Sequence, residues 1–204
     1  RVIYSSTSSA YGLINEPPLT EDMPNDCLNP YSVTKVAGED LCKMYTKLFG
    51  LKTVVFRYFD VHGGRQPVKG QYAPVVGIFL RQFENGEPMT IVGDGHQRRD
   101  FTYVKDVVEA NILAANSDNE SLFGQTINIG VSNNISVLEL AKMIGYYFEY
   151  LPERLGEARI TLADITKASE LLNWEPKVFL QDWIAQQKLS GDPISMKQFM
   201  KKVT

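Results

Sequence analysis

Tyr31 and Lys35 stand four apart in "NPYSVTK", residues 29–35. Four residues make one turn of an α-helix, so both side chains would share a face. A tyrosine titrates at about 10 in water and is a poor base at neutral pH. Lowering that value by roughly 3 units takes about 4 kcal/mol of preferential phenolate stabilisation. A lysine ammonium supplies part of it, and a cationic cofactor could supply more. The same spacing also suits a plain helix-surface pair. A second stretch, "SSTSSAYG" at 5–12, sets small hydroxyls directly after an apolar run. Ligands of open α/β sheets bind beyond the carboxyl ends of strands, where Thr7 could hydrogen-bond a substrate oxygen. The alternative there is a Ser/Thr turn that satisfies its own backbone.

The elements that must position these groups follow from periodicity. Residues 2–6 read as a buried strand and the proline-rich stretch 11–29 as a loop. Residues 31–48 read as a helix with Val33, Ala37, Leu41, Tyr45 and Leu48 on one apolar face and Gly50 at its stop. "KTVVFRYF", 52–59, is apolar throughout, as in a parallel sheet covered on both faces. Strand, helix and strand make a βαβ unit with a right-handed crossover. Beyond it, 74–85 reads as a helix, and "EPMTIVGDG" as a short strand and turn. A helix over 103–115 has Val104, Val107, Val108, Ile112 and Leu113 as its apolar positions, and "QTINIG", 125–130, is a strand. A helix over 136–148 opens on Ser136 and Glu139 as a capping box. A short helix over 164–174 ends at Pro176, and the last thirty residues are helical in tendency. The expected class is α/β. A partial Rossmann-like, doubly wound parallel sheet lies in 1–70, and a smaller mixed α/β substrate-binding part in 71–204. Segments near 100–130 return to the sheet.

Composition narrows the partners. The chain has 204 residues, 44% hydrophobic, with a net charge of −3. It offers no basic field for nucleic acid or an anionic membrane, so any anion must meet local arginines. No apolar run approaches a membrane span. Cys27 and Cys42 form neither a metal spacing nor a CxxC, which points to a reduced, cytoplasmic setting.

In their order, these pieces resemble the extended short-chain dehydrogenase/reductase family. The closest likeness is to its NAD-dependent nucleotide-sugar epimerases and dehydratases, and above all to UDP-sugar 4-epimerases. "GDGHQRRDFTYVKDVVEA" (93–110) is similar to that family's GDGxQxRDFxYVxDV segment. "RLGEARITLADITKASELLNWEP" (154–176) is similar to its RPGDxRxxxADxSKAxxxLGWxP segment. The resemblance implies a catalytic hydroxyl at Thr7, a catalytic tyrosine at Tyr31, and Lys35 beside it on the nicotinamide ribose. It implies NAD contacts at Ser5, Ser6 and Tyr58. It places Arg99 and Arg154 on the nucleotide diphosphate, Glu157 on the nucleotide ribose, Asp60 beside the diphosphate and Thr161 at the sugar C2 substituent. For Arg99 the alternative is a turn arginine paired with Asp100 or Asp94. No residue suggests a metal.

Ser8 and Ser9 stand where dehydratases of the family carry Asp-Glu. Serine is no general base near neutral pH, so the resemblance implies C4 epimerisation. Thr161 is small, which implies room for an N-acetyl group or for uronic acids. Dehydratase or reductase chemistry and a non-catalytic scaffold are the alternatives. Asp60 departs from the usual asparagine, and a carboxylate would repel phosphate. His62 replaces a tyrosine and is expected to be a solvent-side or loop residue. No GxxGxxG loop occurs. With the abrupt start inside a strand, this raises the expectation of a missing glycine-loop half and of no turnover by this chain alone. Relatives usually form homodimers through the Tyr-Lys helix.

Overall fold

A computed structural model describes residues 1–70, 73–153 and 156–190. The first strand, β1 (Val2–Thr7), leads by a long loop into helix α1 (Pro30–Phe49) and back to β2 (Thr53–Tyr58). Asn29 opens α1: its side chain accepts the N–H of Ser32, with Pro30 at the first turn. Gly50 closes it in the left-handed region, φ 68°. β1 and β2 run parallel in register from Val2↔Thr53 to Thr7↔Tyr58, and β7 (Gln125–Ile129) lies parallel on the other side of β2. The sheet order is β1-β2-β7.

Side chains of β2 alternate between two faces. Val54 and Phe56 join Ile127, Ile129, Val107, Ala110, Leu172 and Trp174 in one core. That core sits under α3 (Val104–Asn116) and α5 (Thr166–Leu172). Arg57 points the other way, to Glu39 on α1. Helices therefore cover both faces, as the apolar run of β2 requires.

The remaining elements build a second core. α2 (Val75–Glu84), α4 (Val137–Ile144) and α6 (Leu180–Ser190) pack Phe79, Leu140, Ile144 and Trp183 around β4 (Met89–Val92). β4 pairs in parallel with β9 (Phe148–Leu151). Two short ribbons join the parts: β3 (Val61–His62) with β6 (Thr102–Tyr103), parallel, and β5 (Arg98–Arg99) with β8 (Ile135–Ser136), antiparallel.

The structure corrects four expectations. The helix expected over 136–148 ends at Ile144, and Phe148–Leu151 form a strand. Gly145 breaks the helix, and the aromatic "FEYL" finds a partner edge on β4. The apolar face expected to bury α1 is outward: Val33, Leu41, Tyr45 and Leu48 are exposed, while Ser32 and Glu39 are buried. On α3, Val108 and Ile112 are exposed and Asp106 is buried. Asp106 is buried because its carboxylate accepts the N–H groups of Lys177 and Val178. His62 is 1% exposed rather than solvent-side, because its ring packs on Trp183 and Tyr103.

Candidate active site

The carboxyl ends of β1 and β2 open into a pocket of about 880 Å³. Thr7 ends β1, and its Oγ1 accepts the N–H of Ser9 at 3.1 Å, capping a short 3₁₀ turn over Ser8–Tyr11. Tyr31, on the first turn of α1, lines the same pocket with Thr7, Ser8, Ser9 and Tyr58. Lys35 holds this helix to β1: its Nζ donates to the Ser5 carbonyl at 2.8 Å. Nζ also sits 5.8 Å from the Tyr31 ring centroid and 5.4 Å from that of Tyr4. The lysine is thus placed against the faces of both rings.

One turn further along α1, Glu39 receives Ser6 Oγ and two nitrogens of Arg57. Ser6 Oγ thus donates to Glu39, and Ser6 lines the pocket as well. Arg57 also donates to Asn25 at 2.6 Å and stacks on the Tyr11 ring at 4.7 Å. The Tyr11 hydroxyl donates to Asn128 on β7. This network fixes α1, β1, β2 and the 11–29 loop around the hydroxyl cluster. Sequence reasoning passed it over. The signal was a charged residue, Arg57, inside an otherwise apolar strand, because such a charge must find a buried partner. Tyr58 links Ser5 at 3.4 Å to Asn111 of α3 at 3.1 Å.

The opposite wall comes from the second part of the chain. Arg99, Asp60, Glu157 and Thr161 all line the pocket. Arg99 Nη2 meets Glu157 at 3.6 Å, so neither Asp94 nor Asp100 is its partner. Asp94 is bidentate with Arg159 at 2.9 and 2.6 Å. Asp100 is buried and accepts three backbone N–H groups, from Val131, Ser132 and Ala163. Burial pushes its pKa up to about 7, against the pull of those donors. Burial raises Asp60 as well, opposed by the Arg99 charge. His62 is driven down to about 4 by burial, and neither ring nitrogen has a hydrogen-bond partner among the described residues. Thr161 is 8% exposed and accepts the Asp100 N–H at 3.3 Å. Arg154 lies outside the described residues.

A parallel βαβ sheet with its hydroxyl cluster and Tyr-Lys turn thus faces Arg99 across one pocket. Residues 1–130 match the model of the NAD dependent epimerase/dehydratase family, and the chain belongs to that family. A putative UDP-glucose 4-epimerase of Methanocaldococcus jannaschii is 37% identical over 191 residues, covering 90% of this chain and 60% of that protein. A UDP-N-acetylglucosamine 4-epimerase from Methanobrevibacter ruminantium M1, solved with UDP-N-acetylmuramic acid, superposes with a TM-score of 0.82 at 32% identity. That match covers 98% of this chain and 63% of that one. A UDP-glucuronic acid 4-epimerase from Bacillus cereus, solved with UDP-glucuronic acid and NAD, gives 0.82 at 34%, covering 99% and 62%. The chain spans about 60% of the length of the curated relatives it matches. Among the described residues, no helix is long and apolar enough to cross a membrane, and no acidic, His or Cys cluster could hold a metal.

Proposed function

We propose that this chain carries the proton-transfer and sugar-binding parts of an NAD-dependent nucleotide-sugar 4-epimerase. The observation that carries the reading is the convergence of Thr7 and Tyr31 with Arg99, Glu157 and Thr161 on one pocket. Ser5 and Tyr58, with Tyr31 and Lys35, fit the nicotinamide end of NAD: Tyr31 and Tyr58 line the pocket, Ser5 Oγ donates to the Tyr58 hydroxyl, and Lys35 donates to the Ser5 carbonyl. NAD, when bound, supplies the acceptor and donor of hydride at C4. Tyr31 takes the C4 hydroxyl proton and later returns it, with the Lys35 ammonium favouring the phenolate. Thr7 hydrogen-bonds the C4 oxygen. Arg99 holds the diphosphate, and the open pocket leaves the sugar room to present either face. Ser8 and Ser9 supply no carboxylate for dehydration. The small Thr161 supports N-acetylated sugars or uronic acids as substrates. The outward apolar residues of α1 support a homodimer through that helix.

Titration calorimetry of this chain with UDP-glucose tests the binding half, and saturable binding weakened by Arg99→Ala is expected. Incubation of the longest product of its gene with NAD and UDP-glucose, UDP-GlcNAc or UDP-glucuronate tests the reaction. A C4 epimer is expected, and a dehydrated product would overturn the epimerase assignment. The 204-residue chain alone, lacking a glycine loop, is expected to bind nucleotide sugar without turning it over. Full turnover would refute that expectation.

A further inference from the structure

Arg98 and Arg99 are neighbours on β5, and successive side chains of a strand alternate between its faces. Arg99 lines the pocket, while Arg98 is tied to the loop between β7 and β8. Arg98 Nε donates to Asn134 Oδ1 at 2.7 Å, Nη2 donates to the Asn134 carbonyl at 2.7 Å, and Nη1 donates to Glu139 at 3.1 Å. A guanidinium can only donate, so the Asn134 amide must turn its oxygen to Arg98 and its nitrogen away. That nitrogen, Nδ2, donates to the Thr161 carbonyl at 3.0 Å.

Thr161 is thus held at three points. Its N–H donates to the Arg98 carbonyl at 3.0 Å, its Oγ1 accepts the Asp100 N–H at 3.3 Å, and its carbonyl accepts Asn134. The first two ties come from the main chain of β5 and the residue after it. The third comes from a side chain on another loop. That loop is itself anchored: Val131 and Ser132 donate their N–H groups to the Asp100 carboxylate at 2.8 and 3.1 Å, with Ser132 in the left-handed region at φ 52°. Thr161 lines the pocket, and Asn134 stands behind the lining. Whatever Asn134 does for a ligand it does through Thr161.

We propose that Asn134 is a positioning residue for substrate selection: its amide bond to the Thr161 carbonyl fixes the depth of the wall beside the sugar, so that the wall cannot yield to a bulkier side chain. The inference rests on the nucleotide-sugar reading above and on the place it gives Thr161. Asn134→Asp separates this bond from the rest of the network. It keeps an acceptor for Arg98 and loses the only donor that reaches Thr161 from position 134.

The test is a double-mutant cycle in the longest product of the gene, read as the ratio of kcat/KM for UDP-GlcNAc to that for UDP-glucose. Misfolded enzyme lowers both rates alike and cancels in the ratio. With Asn134 in place, Thr161→Tyr should lower the ratio by more than about tenfold. Combined with Asn134→Asp or Asn134→Ala, the same change should leave the ratio within about threefold of the native value, because the wall can then retreat from the ring. A tenfold drop that persists in both double variants would overturn the proposal and leave Asn134 a structural residue only. A native enzyme inactive on UDP-GlcNAc, or a ratio that Thr161→Tyr alone leaves unchanged, would overturn it as well, while C4 epimerisation of UDP-glucose would keep the nucleotide-sugar reading standing. No C4 epimer from either sugar, in a native protein that circular dichroism shows folded, would overturn that reading and this inference together.

Discussion

Glu39 and Arg57 face each other across α1 and β2, joined by hydrogen bonds of 2.9 and 2.7 Å, with side chains 0% and 2% exposed. Glu39 follows Lys35 by one helical turn, so the stripe Tyr31, Lys35, Glu39 runs along β1. Lys35 binds the Ser5 carbonyl and Glu39 binds Ser6 Oγ, the two residues before Thr7. These two attachments set the height of Tyr31 against Thr7.

Removing one partner leaves a buried charge uncompensated. Glu39→Ala is expected to destabilise the chain by about 3–5 kcal/mol. Glu39→Leu combined with Arg57→Met should cost less than the sum of the two single changes. Urea unfolding of the four proteins measures it, and additive losses would show that the pair is not coupled.

His62 makes stability depend on acid. Its folded pKa, about 4, lies below the ordinary value of about 6.5, with burial as the cause. At pH above 6.5 both folded and unfolded chains hold it neutral, so it costs nothing. As pH falls towards 4 only the unfolded chain takes the proton, and stability is lost by roughly 3 kcal/mol in total. His62→Phe should be more resistant than the native chain near the acid end of that window and differ little in pH slope above it. Parallel acid dependences for the two proteins, from urea midpoints across the window, would rule His62 out.

The βαβ unit and the capping box of Ser136 and Glu139 were legible because they follow from local patterns, periodicity and caps. The burial of α1 was not, since "VxxxAxxxLxxxY" carries an apolar stripe at helical spacing while the face that packs holds Ser32, Gly38 and Glu39. A Cβ on Gly38 would come within 2.2 Å of the Tyr4 hydroxyl, so close approach to β1 takes precedence over hydrophobicity there. β9 was hidden for a different reason. Its pairing with β4 joins residues nearly sixty apart, and no local signal carries such a contact. The Arg99–Glu157 ion pair and the burial of His62 are likewise products of tertiary packing.

Asp100 ties three chain segments behind the ligand wall, and Gly130 gives it room. A Cβ on Gly130 would stand 2.5 Å from Ala163 Cβ and 3.0 Å from Asp100 Oδ2. Gly130→Ala is expected to lower stability by about 1–3 kcal/mol through this overlap. It should also weaken UDP-glucose binding, because Asp100 anchors the N–H of Ala163, two residues past Thr161, and adjoins Arg99. Thermal unfolding and calorimetry report the two effects, and a fully native variant in both would show that the segment relaxes freely.

Tyr31→Phe removes the proposed proton acceptor and keeps the ring. In the longest product of the gene, turnover should fall by about 10²–10⁴, the usual range for general acid–base catalysis. UDP-glucose affinity should stay near the native value, because Arg99 and not Tyr31 is assigned to the diphosphate. A variant that turns over normally would remove Tyr31 from the mechanism.

In the proposed function, Thr161 sets how much substrate the wall admits. It is 8% exposed on the pocket lining, and its backbone N–H donates to the Arg98 carbonyl at 3.0 Å while Oγ1 accepts the Asp100 N–H. The segment is therefore held on β5 and cannot retreat easily from a larger side chain. Thr161→Tyr would fill the volume beside a sugar C2 substituent with an aromatic ring. Turnover of UDP-GlcNAc should drop by more than about tenfold while UDP-glucose is retained, since only the N-acetyl group meets the added ring. Thr161→Ser keeps the hydroxyl bond to Asp100 and should leave the ratio of the two substrates unchanged. Competition assays of both variants in the longest product of the gene decide it: UDP-GlcNAc processed at the native rate by Thr161→Tyr would show that Thr161 does not set the size limit.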